Sequence, residues 1–302
     1  MGFFYLATLY CAVRALSAST PSRRWWLMAA VTACGLGMGT KEVMVTAPLI
    51  VILWDAQFAS DRTVRRLPFY LGMGFRWIIL AALMAGGGRS SSVGFGFPEW
   101  PSWRYLMTQA EVVLHYLRLA IVPTPLVLDY GWPVATSISR VALPGTIIIA
   151  LVAATLWGLV RRFAAAFAGG WFFVILAPTS SVVPIVTEIA AEHRMYLPVA
   201  GVIAFMVIGA YLLGSRLVHA TSSRRLAQGA GLSATATVVL LFVAMTRERN
   251  LDYRSFDRIW SDTIHRRSRN ARTRNNYATA LLTSGRFGAP ESRRGLRDAG
   301  PS

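Results

Sequence analysis

Eight apolar runs set the rhythm of this chain, at residues 3–17, 25–40, 43–54, 68–86, 141–160, 163–178, 196–214 and 229–246, with short polar joints between them. Each run holds few or no charges and is apolar all round, the pattern of helices buried on every side. Crossing a bilayer takes about 20 such residues, or about 17 at the short end. Runs 141–160, 196–214 and 229–246 therefore predict full spans, and the other five predict spans or part-spans. The fold class expected is all-α: a polytopic membrane helix bundle of about eight spans or part-spans. Arg76 resists the scheme, because it falls near the middle of run 68–86, where a charge costs on the order of 2.5–3.5 kcal/mol. It snorkels from a tilted helix, or the span begins after it.

Charge supplies the orientation. The joints at 18–24, 55–67, 161–162 and 215–228 hold ten arginines, and positive joints stay on the cytoplasmic side. Arg23 and Arg24 precede the stretch 25–54, while Arg62, Arg65 and Arg66 follow it. The stretch must cross twice, turning at Lys41 and Glu42, and Gly35, Gly37 and Gly39 would let the two short helices approach closely. The alternation then puts the Lys41 turn, loops 87–140 and 179–195, and everything after Thr246 outside. The chain is expected to be a multi-pass cell-membrane protein with an extracytoplasmic C-terminal tail.

Composition agrees with this reading: 54% of the 302 residues are hydrophobic and 15% charged. A net charge of +17 invites a nucleic-acid reading, but the arginines sit in short pairs between apolar runs, where they orient the chain in a bilayer. Nucleic acid is not an expected partner. All basic residues but Lys41 are arginine, a bias that points to a GC-rich bacterial genome and hence a bacterial inner membrane. Cys11 and Cys34 lie in apolar runs and indicate neither a disulfide framework nor a metal site. The start, MGFFYLATLYCAVRAL, lacks a basic leader and cleavage site and reads as a membrane segment entered partway.

Candidate chemistry is concentrated in residues 180–198, SSVVPIVTEIAAEHRMYLP. There Glu188, Glu192, His193 and Arg194 stand between two apolar runs. Acid, base and cation together at a membrane surface suit chemistry on a polar group held at the bilayer edge. The same residues also suit a plain exit from the lipid, and residue types alone leave both readings open. Within loop 87–140, residues 105–122 predict an amphipathic helix with Glu111, His115 and Arg118 on one face. A solvated face on an interface-lying helix is the commoner meaning of that pattern. Asp129 follows in the turn-rich PTPLVLDYGWP.

The expected domains are a membrane domain over 1–246 with outer loops 87–140 and 179–195, a helical tail over 247–286, and a disordered end over 287–302. The tail from 247 carries 13 arginines and 6 acids and has no further span. Residues 270–286 resemble the first helix of a tetratricopeptide repeat, with Ala278, Ala280 and Leu281 as its packing positions and Gly285 as its stop. This is a partial repeat, where about three are needed to bury a core.

Four segments together resemble the transmembrane and tetratricopeptide-repeat proteins related to protein O-mannosyltransferases. They are GTKEVMVTAPLIVILWD, TQAEVVLHYLRL with LDYGWP, APTSSVVPIVTEIAAEHRMYLP, and RNLDYRSFDRIWSDTI. The resemblance implies a membrane glycosyltransferase, or a retained fragment of one. Such an enzyme moves a sugar from a polyprenyl-phosphate donor to a hydroxyl of a protein or other acceptor on the extracytoplasmic face. Glu192, Glu42 and Glu188 are then the candidates for general base. Lys41, His193 and Arg194 are candidate cations for the phosphate, with His115, Arg118 and Asp129 as further substrate-binding candidates. No cofactor is required; Mg²⁺ or Mn²⁺ is compatible, but no ligand spacing demands it. Family members carry their catalytic acid in a first outer loop upstream of where this sequence starts, so truncation at both ends is expected. The alternative is a noncatalytic membrane anchor with an outer tetratricopeptide-type interaction module. A transporter is disfavoured, because the spans hold almost no ionisable residues and no inverted pair of broken helices.

Overall fold

The computed structural model describes residues 1–17, 22–59, 67–86, 101–180, 184–185, 188–220 and 224–285. The glycine-rich stretch 87–100, the terminal segment 286–302 and the Arg76 side chain lie outside the described residues. Eleven α-helices account for most of what is described. In chain order they are α1 (Gly2–Ser17), α2 (Ser22–Met38), α3 (Ala47–Phe58), α4 (Leu67–Gly86), α5 (Ser102–Ile121) and α6 (Ile138–Val160). There follow α7 (Ala166–Leu176), α8 (Pro198–Ala220), α9 (Arg224–Asp252), α10 (Phe256–Arg266) and α11 (Ala271–Thr283).

Each of the eight apolar runs holds one α-helix, and among the described residues three are long and apolar enough to cross a membrane: Ile138–Val160, Pro198–Arg216 and Gln228–Asp252. Helices α1 and α7 are apolar but shorter. The stretch 25–54 is broken, as its charge bias requires. Thr40 N–H and Oγ1 both bond Gly37 O, at 2.8 and 2.6 Å, and a 3₁₀ turn (Glu42–Thr46) leads into α3, which has proline in its first turn. The close approach at Gly37 is not to α3: a Cβ there would run into the Met44 side chain of the 3₁₀ turn and lie 3.1 Å from Phe4 Cβ of α1. Helix α9 runs through Thr246 to Asp252, so the last apolar run and the start of the polar tail share one helix.

The described chain forms two compact units. The first comprises Met1–Val122, Val134–Thr187 and His193–Phe205; the second comprises Pro123–Pro133, Glu188–Glu192 and Met206–Ser302. In the first, α1 packs on α2 and α3, and Tyr5, Cys34, Met44, Ile50, Met73, Trp171 and Ile175 close a common core. The Thr46 hydroxyl donates to Val43 O at 2.8 Å, so it is the Tyr5 phenol that donates to Thr46 Oγ1, at 2.9 Å. Helix α5 does not lie free at an interface. It buries Tyr105, Thr108, Val112, Tyr116 and Leu119 along one stripe and packs against α6.

In the second unit, α10 and α11 form a helical pair around Ile259, Trp260, Ile264, Tyr277, Ala280 and Leu281. Helix α11 opens on Asn270, whose side chain accepts from the N–H groups of Arg272 and Thr273, and the chain leaves it through Gly285 at φ +69°. The stop falls at the glycine the sequence marks.

Candidate functional site

In the second unit, three segments far apart in the chain meet around Glu192. Its Oε1 accepts the Val127 N–H at 2.5 Å and the Tyr130 hydroxyl at 2.8 Å, whereas Oε2 accepts no hydrogen bond among the described residues. Tyr130 is 2% exposed. Burial, and then the Glu192 charge, hold its phenol well above the usual tyrosine range, so it stays protonated and donates. The Arg267 guanidinium lies over the Tyr130 and Trp132 rings, 5.4 and 5.9 Å from their centroids.

The same loop is tied to α11. Asp129 pairs with Arg272 at 3.2 Å and accepts the Gly131 N–H at 3.0 Å, while Asn270 Nδ2 reaches Asp129 O at 3.4 Å. Gly131, at φ +48°, admits no side chain, because a Cβ would lie 2.6 Å from the Asn270 amide. From α9, Arg249 Nη1 pairs with Asp262 at 2.9 Å and with Asp252 at 3.4 Å. Its Nε and Nη2 are buried and donate to no partner among the described residues, and the Glu192 charge acts on it. A carboxylate with one bound and one open oxygen can take a proton, and the Arg249 charge adds a positive field in the same unit.

The other sequence candidates fall in the first unit, Glu188 excepted. Arg194 is buried. Its Nη1 donates to Thr179 O at 3.2 Å, the carbonyl that also accepts the Tyr105 hydroxyl at 3.1 Å, and the guanidinium hydrogen-bonds the Tyr105 phenol. Burial raises the Tyr105 phenol above its ordinary value, and Arg194 partly offsets this. His193 is exposed. Lys41 is the half-buried residue before the first 3₁₀ turn, and Glu42 is the exposed residue that begins it. His115 is half-buried and Arg118 exposed, on the flank of α5 away from its buried stripe. On that flank Glu111 grips Arg140 of α6 through two hydrogen bonds of 2.6 and 2.7 Å. Glu188, in the second unit, is exposed. Among the described residues, no three His, Cys, Asp or Glu side chains converge on a point suited to a metal ion.

The structure thus brings Glu192 and Asp129 into one neighbourhood and leaves Lys41 and Glu42 in another. Tyr130, Arg249, Arg267 and Arg272 were not singled out by the sequence. For Arg249 one signal was legible, namely Asp252 three residues on, the spacing of a helical ion pair.

No protein-family model matches the chain, and no solved structure matches it. Among curated proteins, Protein O-mannosyl-transferase Tmtc3 of Drosophila melanogaster is 30% identical over 118 residues, which are 39% of this chain and 12% of that protein. The chain therefore spans only a small part of the length of the relative it matches. The match supports a distant relationship to that protein, and the three helices long and apolar enough to cross a bilayer suggest a membrane protein.

Proposed function

We propose that the chain is part of a membrane glycosyltransferase that moves a sugar from a polyprenyl-phosphate donor to a protein hydroxyl on the extracytoplasmic face. The observation that carries this reading is Glu192 itself, with Oε1 held by Val127 and Tyr130 and Oε2 left without a hydrogen bond among the described residues. In the proposed step, Glu192 Oε2 takes the proton of the acceptor hydroxyl as its oxygen attacks the sugar's anomeric carbon. The bond from that carbon to the phosphate oxygen breaks, and the polyprenyl phosphate departs with the electron pair. The Arg249 charge favours the developing negative charge through space, and the hydrogen bonds to Oε1 hold the carboxylate in place. Asp129 and Arg272 position the loop that carries Tyr130.

The test is sugar transfer from a radiolabelled polyprenyl-phosphate mannose to a Ser/Thr-rich peptide by the full chain in nanodiscs. Glu192→Gln should lower the rate about 10²- to 10⁴-fold, the range of a general base. Unchanged transfer would remove Glu192 from the mechanism. A second reading, a membrane anchor that recruits a partner, is favoured by the α10–α11 pair with its own apolar core. Absence of transfer together with partner capture that depends on α11 would select it.

A further inference from the structure

Helix α9 has a second polar end, on a face that the Glu192 neighbourhood does not use. Its apolar window, within Gln228–Asp252, has none of its residues buried by the rest of the protein. In a bilayer that surface is covered by lipid, since nothing in its own unit covers it. Where the helix nears its end, an open groove of about 550 Å³ runs along one stripe. Val239, Phe242 and Val243 lie at one end, and Arg247, Asn250 and Arg254 at the other.

Arg247 and Arg254 are exposed, and their side chains have no hydrogen bond or ion pair among the described residues. No carboxylate lines the groove. On the far side of Arg254, a recess of about 350 Å³ is lined by Tyr253, Phe256 and Trp260 with Ser255. Tyrosine and tryptophan gather at headgroup depth, which puts the two guanidiniums at the level of lipid phosphates. An apolar track that ends in two unneutralised cations is complementary to one molecule, an acyl lipid with an anionic phosphate headgroup.

We infer that this face of α9 binds an anionic glycerophospholipid of the bilayer, with its phosphate between Arg247 and Arg254 and an acyl chain along Val239, Phe242 and Val243. The inference stands apart from sugar transfer, because none of these residues takes part in the step proposed for Glu192.

The test uses the purified full chain in neutral detergent, titrated with short-chain phosphatidylglycerol and, separately, with phosphatidylcholine of the same chains. Each cation near such a phosphate contributes about 1 kcal/mol, roughly fivefold in affinity, so the Arg247→Gln/Arg254→Gln double variant should lose about thirtyfold for phosphatidylglycerol. Its binding of phosphatidylcholine should hardly change. Inorganic phosphate at the same concentration should not compete, and polyprenyl phosphate should bind no better than phosphatidylglycerol. Equal affinity of the wild-type chain for the two phospholipids would overturn the inference without recourse to any variant. So would full competition by free phosphate, which would make the site one for a soluble anion, or a marked preference for the polyprenyl lipid, which would make it a donor site.

Discussion

Glu192→Ala is the most informative single change in this protein, because two donors depend on one oxygen. The variant deprives the Val127 N–H and the buried Tyr130 hydroxyl of their acceptor together. A hydrogen bond to a charged acceptor contributes about 1.5–3 kcal/mol. Even at the low end of that range, the two bonds sum to about 3 kcal/mol holding the loop 123–133. At about 1.4 kcal/mol per tenfold, local opening becomes more than a hundredfold easier. Glu192→Gln keeps an oxygen in place without the charge, and neutral hydrogen bonds contribute about 0.5–1.5 kcal/mol each. The glutamine variant should therefore lose about 2 kcal/mol in all, roughly thirtyfold. The assay is hydrogen–deuterium exchange of the full chain in nanodiscs, read on peptides that cover Val127. The expected order is wild type slowest, glutamine intermediate and alanine fastest, with α5 and α6 unaffected. Wild-type exchange at Val127 in the alanine variant would refute the geometry. Glutamine as slow as wild type would refute the part assigned to charge.

Three further outcomes follow from the same unit. Gly131→Ala forces a left-handed residue to carry a Cβ that would also lie 2.6 Å from the Asn270 amide. It should cost at least about 1–2 kcal/mol, read as faster exchange over 127–133 and in the first turn of α11. Asn270→Ala removes the cap over Arg272 and Thr273 and the 3.4 Å bond to Asp129 O. The loss should be about 1 kcal/mol, confined to the same peptides, and wild-type exchange there would contradict the cap. The third concerns pH: Tyr130, with its phenol raised in the folded state, favours folding fully at any pH below the ordinary tyrosine value near 10. Above that value the unfolded chain ionises first, so stability should fall as pH rises past 10, and Tyr130→Phe should flatten the fall. An ultraviolet titration that showed Tyr130 ionising near 10 in the folded protein would contradict this.

The helices could be read from sequence because their cause is local. A run of apolar residues, or a glycine stop such as Gly285, acts on its own neighbours, and each such signal has its helix. The break at Lys41 was legible for a similar reason, since arginines on both flanks of residues 25–54 leave a single helix no consistent orientation. Glu192 could be singled out by its type and position, but its surroundings could not. The Tyr130 hydroxyl comes from 62 residues away, and the Asn270 amide reaches Asp129 across 141. No periodicity spans such separations. Arg194 shows the same divide, since a cation in an acid-rich cluster reads as a ligand for phosphate, yet it is buried against the Thr179 carbonyl. By itself the sequence determined the class of the protein and the places where its helices lie, because burial and capping are properties of short stretches. Tertiary structure alone decided which carboxylate oxygen is bound and which open, and which guanidinium is held by carboxylates and which is free, because those depend on contacts between distant stretches.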